Sequence, residues 1–274
     1  MPHALPAARI SPKRTCLTGG TVALRIITSP AKKMRTIDAP PLPRSEPALL
    51  ARTRLLLEAL RRLSPAEVQE LWACSDRLAA LNYDRLQRMD LDRDLTAAAV
   101  SYEGIQYRHM APEVMTDGEL AWLDEHLRIL SGFYGVLRPL DGVTPYRLEM
   151  QARLAVGGAH NLYEFWGPDL YDALAAECDL IVNVASVEYS RAVTPWMRPG
   201  GPKVLTCLFC VERAGRLRQP ATEAKAARGT FIRWCAERGV EDATGLAAFS
   251  ERGYRLRADD SDDQTLVFVR DSSA

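Results

Sequence analysis

No run of this chain reaches the roughly 18 consecutive apolar residues that a membrane-spanning helix needs. The first twenty residues carry Pro2, Pro6, Pro12, Lys13 and Arg14 but no apolar stretch of the kind that opens a secretory signal. The expectation is a cytoplasmic protein with no membrane partner. Cysteine is sparse and irregular: Cys16, Cys74, Cys178, Cys207, Cys210 and Cys235 lack the spacing of a disulfide framework and read as small buried apolar residues in a reducing compartment. Cys207 and Cys210 form a CxxC, yet they lie in Val204–Val211, an apolar, β-branched strand pattern in which positions three apart face opposite ways. No second CxxC follows, and His3, His109, His126 and His160 are scattered, so neither a metal nor a cofactor is expected. Also missing are a glycine-rich phosphate cradle, a dinucleotide fingerprint and a Ser-His-Asp order. Net charge is zero, which excludes a global basic footprint.

What is present begins with size. The 274 residues suffice for a substantial core, and 47% hydrophobic with 26% charged residues is an ordinary globular composition. The charge is segregated. Residues 1–44 hold Arg9, Lys13, Arg14, Arg25, Lys32, Lys33, Arg35 and Arg44 against Asp38 alone, and residues 198–238 hold nine basic side chains against Glu212, Glu223 and Glu237. Such segregation either builds a local anion-binding face or is simply solvated surface.

Residues 1–22 read as a flexible extension, and 23–272 as one domain. A short strand, Leu24–Ile27, runs into Ser29-Pro-Ala-Lys32. Helical patterning follows from about Glu46, and Ser64-Pro65-Ala66-Glu67 has the form of a capping box with proline at the first helical position. A further helix is expected near Ser75–Leu86. Leu120, Leu123, Leu127 and Leu130 predict a helix from Asp117 to Leu130, ended by Ser131-Gly132. Leu162–Glu177 reads as a helix broken near Gly167-Pro168, Leu180–Val184 as a buried strand, and Thr222–Arg238 as a helix with Ala224, Ala227, Phe231, Trp234 and Cys235 inward. Residues 254–257 and 265–269 read as a hairpin. Strands and helices mix without steady βαβ alternation, which predicts an α+β fold: a mixed sheet with surrounding helices.

The segment Leu130–Met150 sets Tyr134, Arg138, Asp141, Tyr146, Arg147 and Glu149 among path-fixing glycines and prolines. Arginines on a constrained backbone suit bidentate binding of phosphate or carboxylate, and tyrosines beside them suit base stacking. The alternative is that Arg138 pairs with Asp141 and Arg147 with Glu149 as internal ion pairs. Ser29 and Lys32 directly follow a strand, a usual place for a functional loop. Lys225 and Arg228 share a helix face. Asn183, Ser186 and Tyr189 follow a buried strand, where small polar groups line sites or cap helices.

Ser29-Pro-Ala-Lys32, Ser75-Asp-Arg-Leu78 and His126-Leu-Arg-Ile-Leu-Ser-Gly-Phe-Tyr-Gly-Val-Leu-Arg-Pro-Leu-Asp141 form the first half of an ordered series. Pro145-Tyr-Arg-Leu-Glu-Met150, Leu162-Tyr-Glu-Phe-Trp166, Asn183-Val-Ala-Ser186 with Glu188-Tyr189, Lys225-Ala-Ala-Arg-Gly229 and Gly253-Tyr254 complete it. Over about residues 24–270 this series resembles the YaaA family of peroxide-stress-response proteins. The resemblance implies an unusual α+β fold with a positively charged cleft and a helix-hairpin-helix-like element. It also implies a link to duplex and distorted DNA and to limiting intracellular iron under peroxide stress. On that resemblance the expected phosphate or DNA contacts are Lys32, Arg138, Arg147, Lys225 and Arg228. The expected cleft lining is Ser29, Tyr134, Asp141, Tyr146, Asn183, Ser186 and Tyr189. An alternative reading is an enzyme acting on a nucleotide, nucleobase or other small phosphorylated molecule in the same cleft, with Lys32, Arg147 and Glu149 carrying the chemistry. It is motivated by the carboxylates that accompany the arginines.

Overall fold

Leu24, Ile26 and Ile27 have no more than 1% of their surface exposed and lie in β1 (Leu24–Thr28), an interior strand of a mixed sheet. The computed structural model describes residues 23–271; the extension read at 1–22 lies outside the described residues. The other strands of the sheet are β2 (Leu127–Ser131), β3 (Gly135–Leu137), β4 (Leu180–Asn183), β5 (Lys203–Arg213), β6 (Arg216–Arg218), β7 (Tyr254–Leu256) and β8 (Thr265–Asp271). Across the sheet they run β7-β8-β5-β4-β1-β2-β3, with β6 hairpinned onto β5.

The core of this sheet is parallel. β1 pairs parallel with β2 on one side (Ile26 opposite Leu127) and with β4 on the other (Ile26 opposite Val182). β4–β5 and β5–β8 are parallel too, while β3 and β7 close the edges antiparallel. Taken in chain order, the five parallel strands lie 2-1-3-4-5, an order found in doubly wound sheets. The fold is α+β, as the mixed pattern predicts, with a parallel centre that local alternation does not reveal. The reason is the long crossover from β1 to β2, whose longer helices are α1 (Leu50–Arg61), α2 (Pro65–Trp72), α3 (Asp76–Arg88), α4 (Ile105–Met110) and α5 (Asp117–His126). Beyond β2 come α6 (Leu162–Trp166), α7 (Asp169–Ala175), α8 (Val187–Ser190) and the long α9 (Ala221–Arg238).

Local signals account for many boundaries. Ser64 Oγ accepts from the Glu67 N–H while the Glu67 carboxylate accepts from the Ser64 N–H, so the capping box at α2 is complete. Gly167, at φ +49°, separates α6 from α7 where Gly167-Pro168 predicts the break. The expected helix over 117–130 requires correction. It stops at His126, and 127–131 is strand β2, because Leu127 and Ile129 are fully buried beside β1 and ladder pairing overrides the helical leucine spacing. Cys207 packs in the main core, whereas Cys210 packs with Val267 and Val269 in a separate cluster, so the two thiols do face opposite ways.

Phe209, Phe231, Phe249, Phe268 and Tyr254 form one buried aromatic cluster, with Phe209 5.4 Å from Phe231 and 5.5 Å from Phe268 between ring centroids. The cluster holds α9 against β5 and β8 and so sets where its polar face points. Among the described residues no helix is long and apolar enough to cross a membrane.

A candidate anion-binding cleft at the sheet switch point

In a 2-1-3-4-5 sheet the crevice opens beyond the carboxyl ends of the first and third parallel strands, where successive connections leave in opposite directions. Here those strands are β1 and β4, and the loops leaving them are 29–32 and 184–186. Ser29 Oγ donates to Ser186 Oγ at 3.1 Å and accepts from the Ser186 N–H at 2.8 Å, which ties the two loops together. From the other side Gln106 Nε2 donates to Thr28 Oγ1 at 2.6 Å and Tyr107 Oη donates to the Ser29 carbonyl at 3.0 Å. Asn183 accepts from the Ala185 N–H at 3.0 Å and shapes the start of the second loop.

Helix α9 forms the opposite wall. It crosses α4 with backbone close to backbone, for a Cβ added at Gly229 would lie 2.0 Å from the Gln106 carbonyl oxygen. Only glycine permits that approach, and it carries Lys225 and Arg228 to the Ser29–Lys32 loop. The resulting cavity is about 430 Å³ and is lined by Ser29, Lys32, Ser186, Tyr189, Lys225 and Arg228, with Lys33, Arg108, Glu103, Glu149 and Glu188 also on its walls.

The charges of this cleft are unequally matched. Lys32 Nζ lies 2.7 Å from Glu149, whose other oxygen is 3.6 Å from Arg147, and Lys33 lies 2.7 Å from Glu103. Among the described residues Arg228 and Lys225 have no hydrogen-bond or ion-pair partner. Burial alone pulls Arg228 below its ordinary value, with no carboxylate to offset it, and its Nε is buried without an acceptor. A half-buried guanidinium left uncompensated is costly, and a bound anion removes that cost. Burial pushes the Glu188 carboxyl up, opposed by the Gln151 N–H and reinforced by the charge of Glu149. Tyr189 is pushed far up by burial and stays a neutral phenol.

The residues expected from sequence therefore divide. The fold gathers Ser29, Lys32, Glu149, Ser186, Tyr189, Lys225 and Arg228. Arg147 stands behind Glu149, its Nη2 3.5 Å from the Trp72 carbonyl oxygen. Asn183 is buried beneath the loop that it caps.

Four expected cleft residues lie elsewhere. Arg138 pairs with Asp124, and Asp141 is buried, accepting from Ser45 Oγ at 2.7 Å and the Arg138 N–H at 2.8 Å. Tyr134 is buried and bonded to Thr144. Tyr146 is buried between Tyr102 Oη (2.8 Å) and Ser131 Oγ (2.6 Å). Neither tyrosine presents a face to a base. Their spacing among glycines and prolines marks a constrained path but cannot tell an outward ring from an inward one. Sequence reasoning also misses Gln106, Tyr107 and Arg108; only Gly229, a glycine inside a strong helix, is a visible signal of close packing.

The arrangement is a mixed parallel-centred sheet whose switch point carries an arginine with no partner among the described residues, which marks a candidate anion site. The sequence matches the family of the peroxide stress protein YaaA over residues 24–260, and the chain belongs to that family. It is 47% identical over 247 residues to the UPF0246 protein of Lactiplantibacillus plantarum, covering 90% of this chain and 99% of that one. It is 44% identical to the UPF0246 protein of Pediococcus pentosaceus (90% and 98%) and 41% identical to that of Agathobacter rectalis (90% and 99%).

Proposed function

We propose that this member of the peroxide stress family binds DNA through its phosphates, with Arg228 and Lys225 as the principal contacts and Lys32 beside them. The observation that carries the reading is the unpaired, half-buried Arg228 guanidinium in a concave site. Backbone contacts of this kind attract duplex, bent or junction DNA with little sequence preference. Because Tyr134 and Tyr146, the tyrosines expected to stack on bases, are buried away from the cleft, affinity comes from charge rather than from those rings. In this reading DNA bound by the protein is less exposed to damage driven by intracellular iron and peroxide, and the effect on iron is indirect.

The test is fluorescence anisotropy with duplex and four-way-junction DNA over a salt series, comparing the natural chain with Arg228→Ala/Lys225→Ala. Log affinity should fall linearly with log salt. The double substitution should lower that slope by about 2, since two phosphates are then no longer neutralised. Binding indifferent to salt, or to both substitutions, ends this reading.

A second reading is supported by Glu149 and Glu188 on the same cleft wall, one ion-paired with Lys32 and the other with a raised proton affinity. Two carboxylates in unlike surroundings, one of them held beside a lysine, suit proton transfer on a small phosphorylated substrate. In a screen of phosphorylated metabolites for turnover, Glu149→Gln should abolish any reaction found; unchanged turnover removes Glu149 from the chemistry.

A further inference from the structure

The anion cleft does not end at Lys32. A second cavity of about 640 Å³ also has Lys32 and Glu149 in its wall, so their 2.7 Å ion pair stands on the border between two adjoining compartments. The Lys32 side chain is 65% exposed there and lies in the wall of both cavities. Both volumes fall in the range of small-molecule sites and far exceed what one phosphate fills.

The two compartments differ in character. The first offers Lys32, Lys33, Arg108, Lys225 and Arg228 against Glu103, Glu149 and Glu188. The second offers Lys32 and Arg153 against Glu67, Glu70 and Glu149, with Leu63, Leu71 and Trp72 as an apolar wall. Of its carboxylates Glu67 is engaged in the α2 capping box, which leaves Glu70 exposed and Glu149 at the border. The carboxyl end of α2 adds a partial negative charge, and the Trp72 indole N–H is buried without an acceptor.

We propose that the adjoining compartments form a nucleotide site: the phosphate sits at Arg228 and Lys225, and an amino-bearing base lies past the Lys32–Glu149 pair against Leu63, Leu71 and Trp72. The proposal rests on the phosphate reading above. An apolar wall takes the face of a base, and carboxylates accept from an exocyclic amino group while repelling a carbonyl at the same position. Cytosine, adenine and guanine therefore fit, and uracil and thymine, which offer a carbonyl where cytosine has its amine, fit poorly. Such a nucleotide comes from one of two sources, a free nucleotide or one turned out of a distorted duplex.

The experiment has two arms on the full chain. In the first, calorimetry compares CMP, UMP, ribose 5-phosphate and inorganic phosphate. CMP should bind at least about tenfold tighter than UMP, the discrimination that one good base-edge contact provides. It should also bind more tightly than ribose 5-phosphate. Glu70→Gln, at an exposed position, should erase the preference for CMP over UMP. Leu71→Trp should erase the advantage of CMP over ribose 5-phosphate while inorganic phosphate binds as before. In the second arm, a duplex with one unpaired 2-aminopurine is compared with its fully paired counterpart by 2-aminopurine fluorescence. A change confined to the unpaired duplex, suppressed by Leu71→Trp, assigns the site to an extruded nucleotide; a response in the calorimetric arm alone assigns it to a free one. Equal binding of all four small ligands, with Arg228→Ala weakening each, overturns the nucleotide site and leaves the phosphate reading standing. Indifference of every ligand to Arg228→Ala overturns both.

Discussion

The corner around Arg138 and the wall around Arg228 both carry arginines on rigid backbone, yet their charges meet opposite fates. At the corner every charge has a local partner: Arg138 pairs with Asp124, Asp124 also accepts from the Leu140 N–H at 3.1 Å, and Asp141 takes Ser45 and the Arg138 N–H. On the wall Arg228 and Lys225 have none among the described residues. Satisfied charges fix a backbone, whereas an unsatisfied one on a concave surface is available to a ligand. The difference lies in partners, since both segments look equally basic in sequence.

The sharpest way to break this contrast is Gly229→Ala. A Cβ 2.0 Å from the Gln106 carbonyl oxygen forces α9 away from α4, an overpacking cost of about 3 kcal/mol. Chemical denaturation should show that loss, and DNA affinity should fall with it, because the wall and the Ser29 loop separate. An unchanged denaturation midpoint would mean that the two helices are not held this closely.

Next come the two arginines compared directly. Arg228→Ala should weaken DNA binding by about tenfold or more, the worth of a charge-assisted hydrogen bond, with stability unchanged or improved. Arg138→Ala should do the reverse: it strips the partner from an Asp124 side chain only 15% exposed and should cost about 1–3 kcal/mol of stability, with DNA affinity nearly intact. If both substitutions weaken binding equally, the division between corner and wall is wrong.

The corner also has a pH signature. Burial raises the Asp141 carboxyl from 3.8 to about 6, against its hydrogen bonds from Ser45 and the Arg138 backbone. The folded state then holds a proton that the unfolded chain has released between about pH 4 and pH 6. The contribution of this group to stability therefore falls as pH rises through that window, by about 3 kcal/mol in total. The difference in unfolding free energy between the natural chain and Asp141→Asn should follow that curve; a flat difference would show that Asp141 ionises as an ordinary carboxyl. The smallest expected effect is at Ser64→Ala, where loss of the α2 cap should cost about 1 kcal/mol, with no change in phosphate binding at the Arg228 wall.

Several features of this chain are legible one element at a time. The capping box at Ser64–Glu67, the Gly167-Pro168 break, the inward stripe of α9 and the opposed faces of Cys207 and Cys210 all depend on neighbours a few residues away. The 117–130 segment misleads for the same reason. Leu127 and Leu130 satisfy a helical period, but Leu127 and Ile129 also satisfy a buried strand, and only β1 beside them decides between the two. The site is half legible. Lys32, Lys225, Arg228, Ser29 and Ser186 are visible as polar or basic groups after strands or on one helix face, whereas Tyr134 and Tyr146 have the right type and the wrong orientation.

The sequence by itself determined the helix caps, the apolar strands and the supply of charge, because each is a matter of local propensity or composition. Tertiary structure alone decided the parallel 2-1-3-4-5 order, and with it the meeting of the loops after β1 and β4. It also decided which basic side chains found a carboxylate. Ion pairing falls off within a few ångströms, so Lys32 meets Glu149 and Arg138 meets Asp124 only once the sheet has set their distances, and Arg228 is left over because no described carboxylate comes within pairing distance of it.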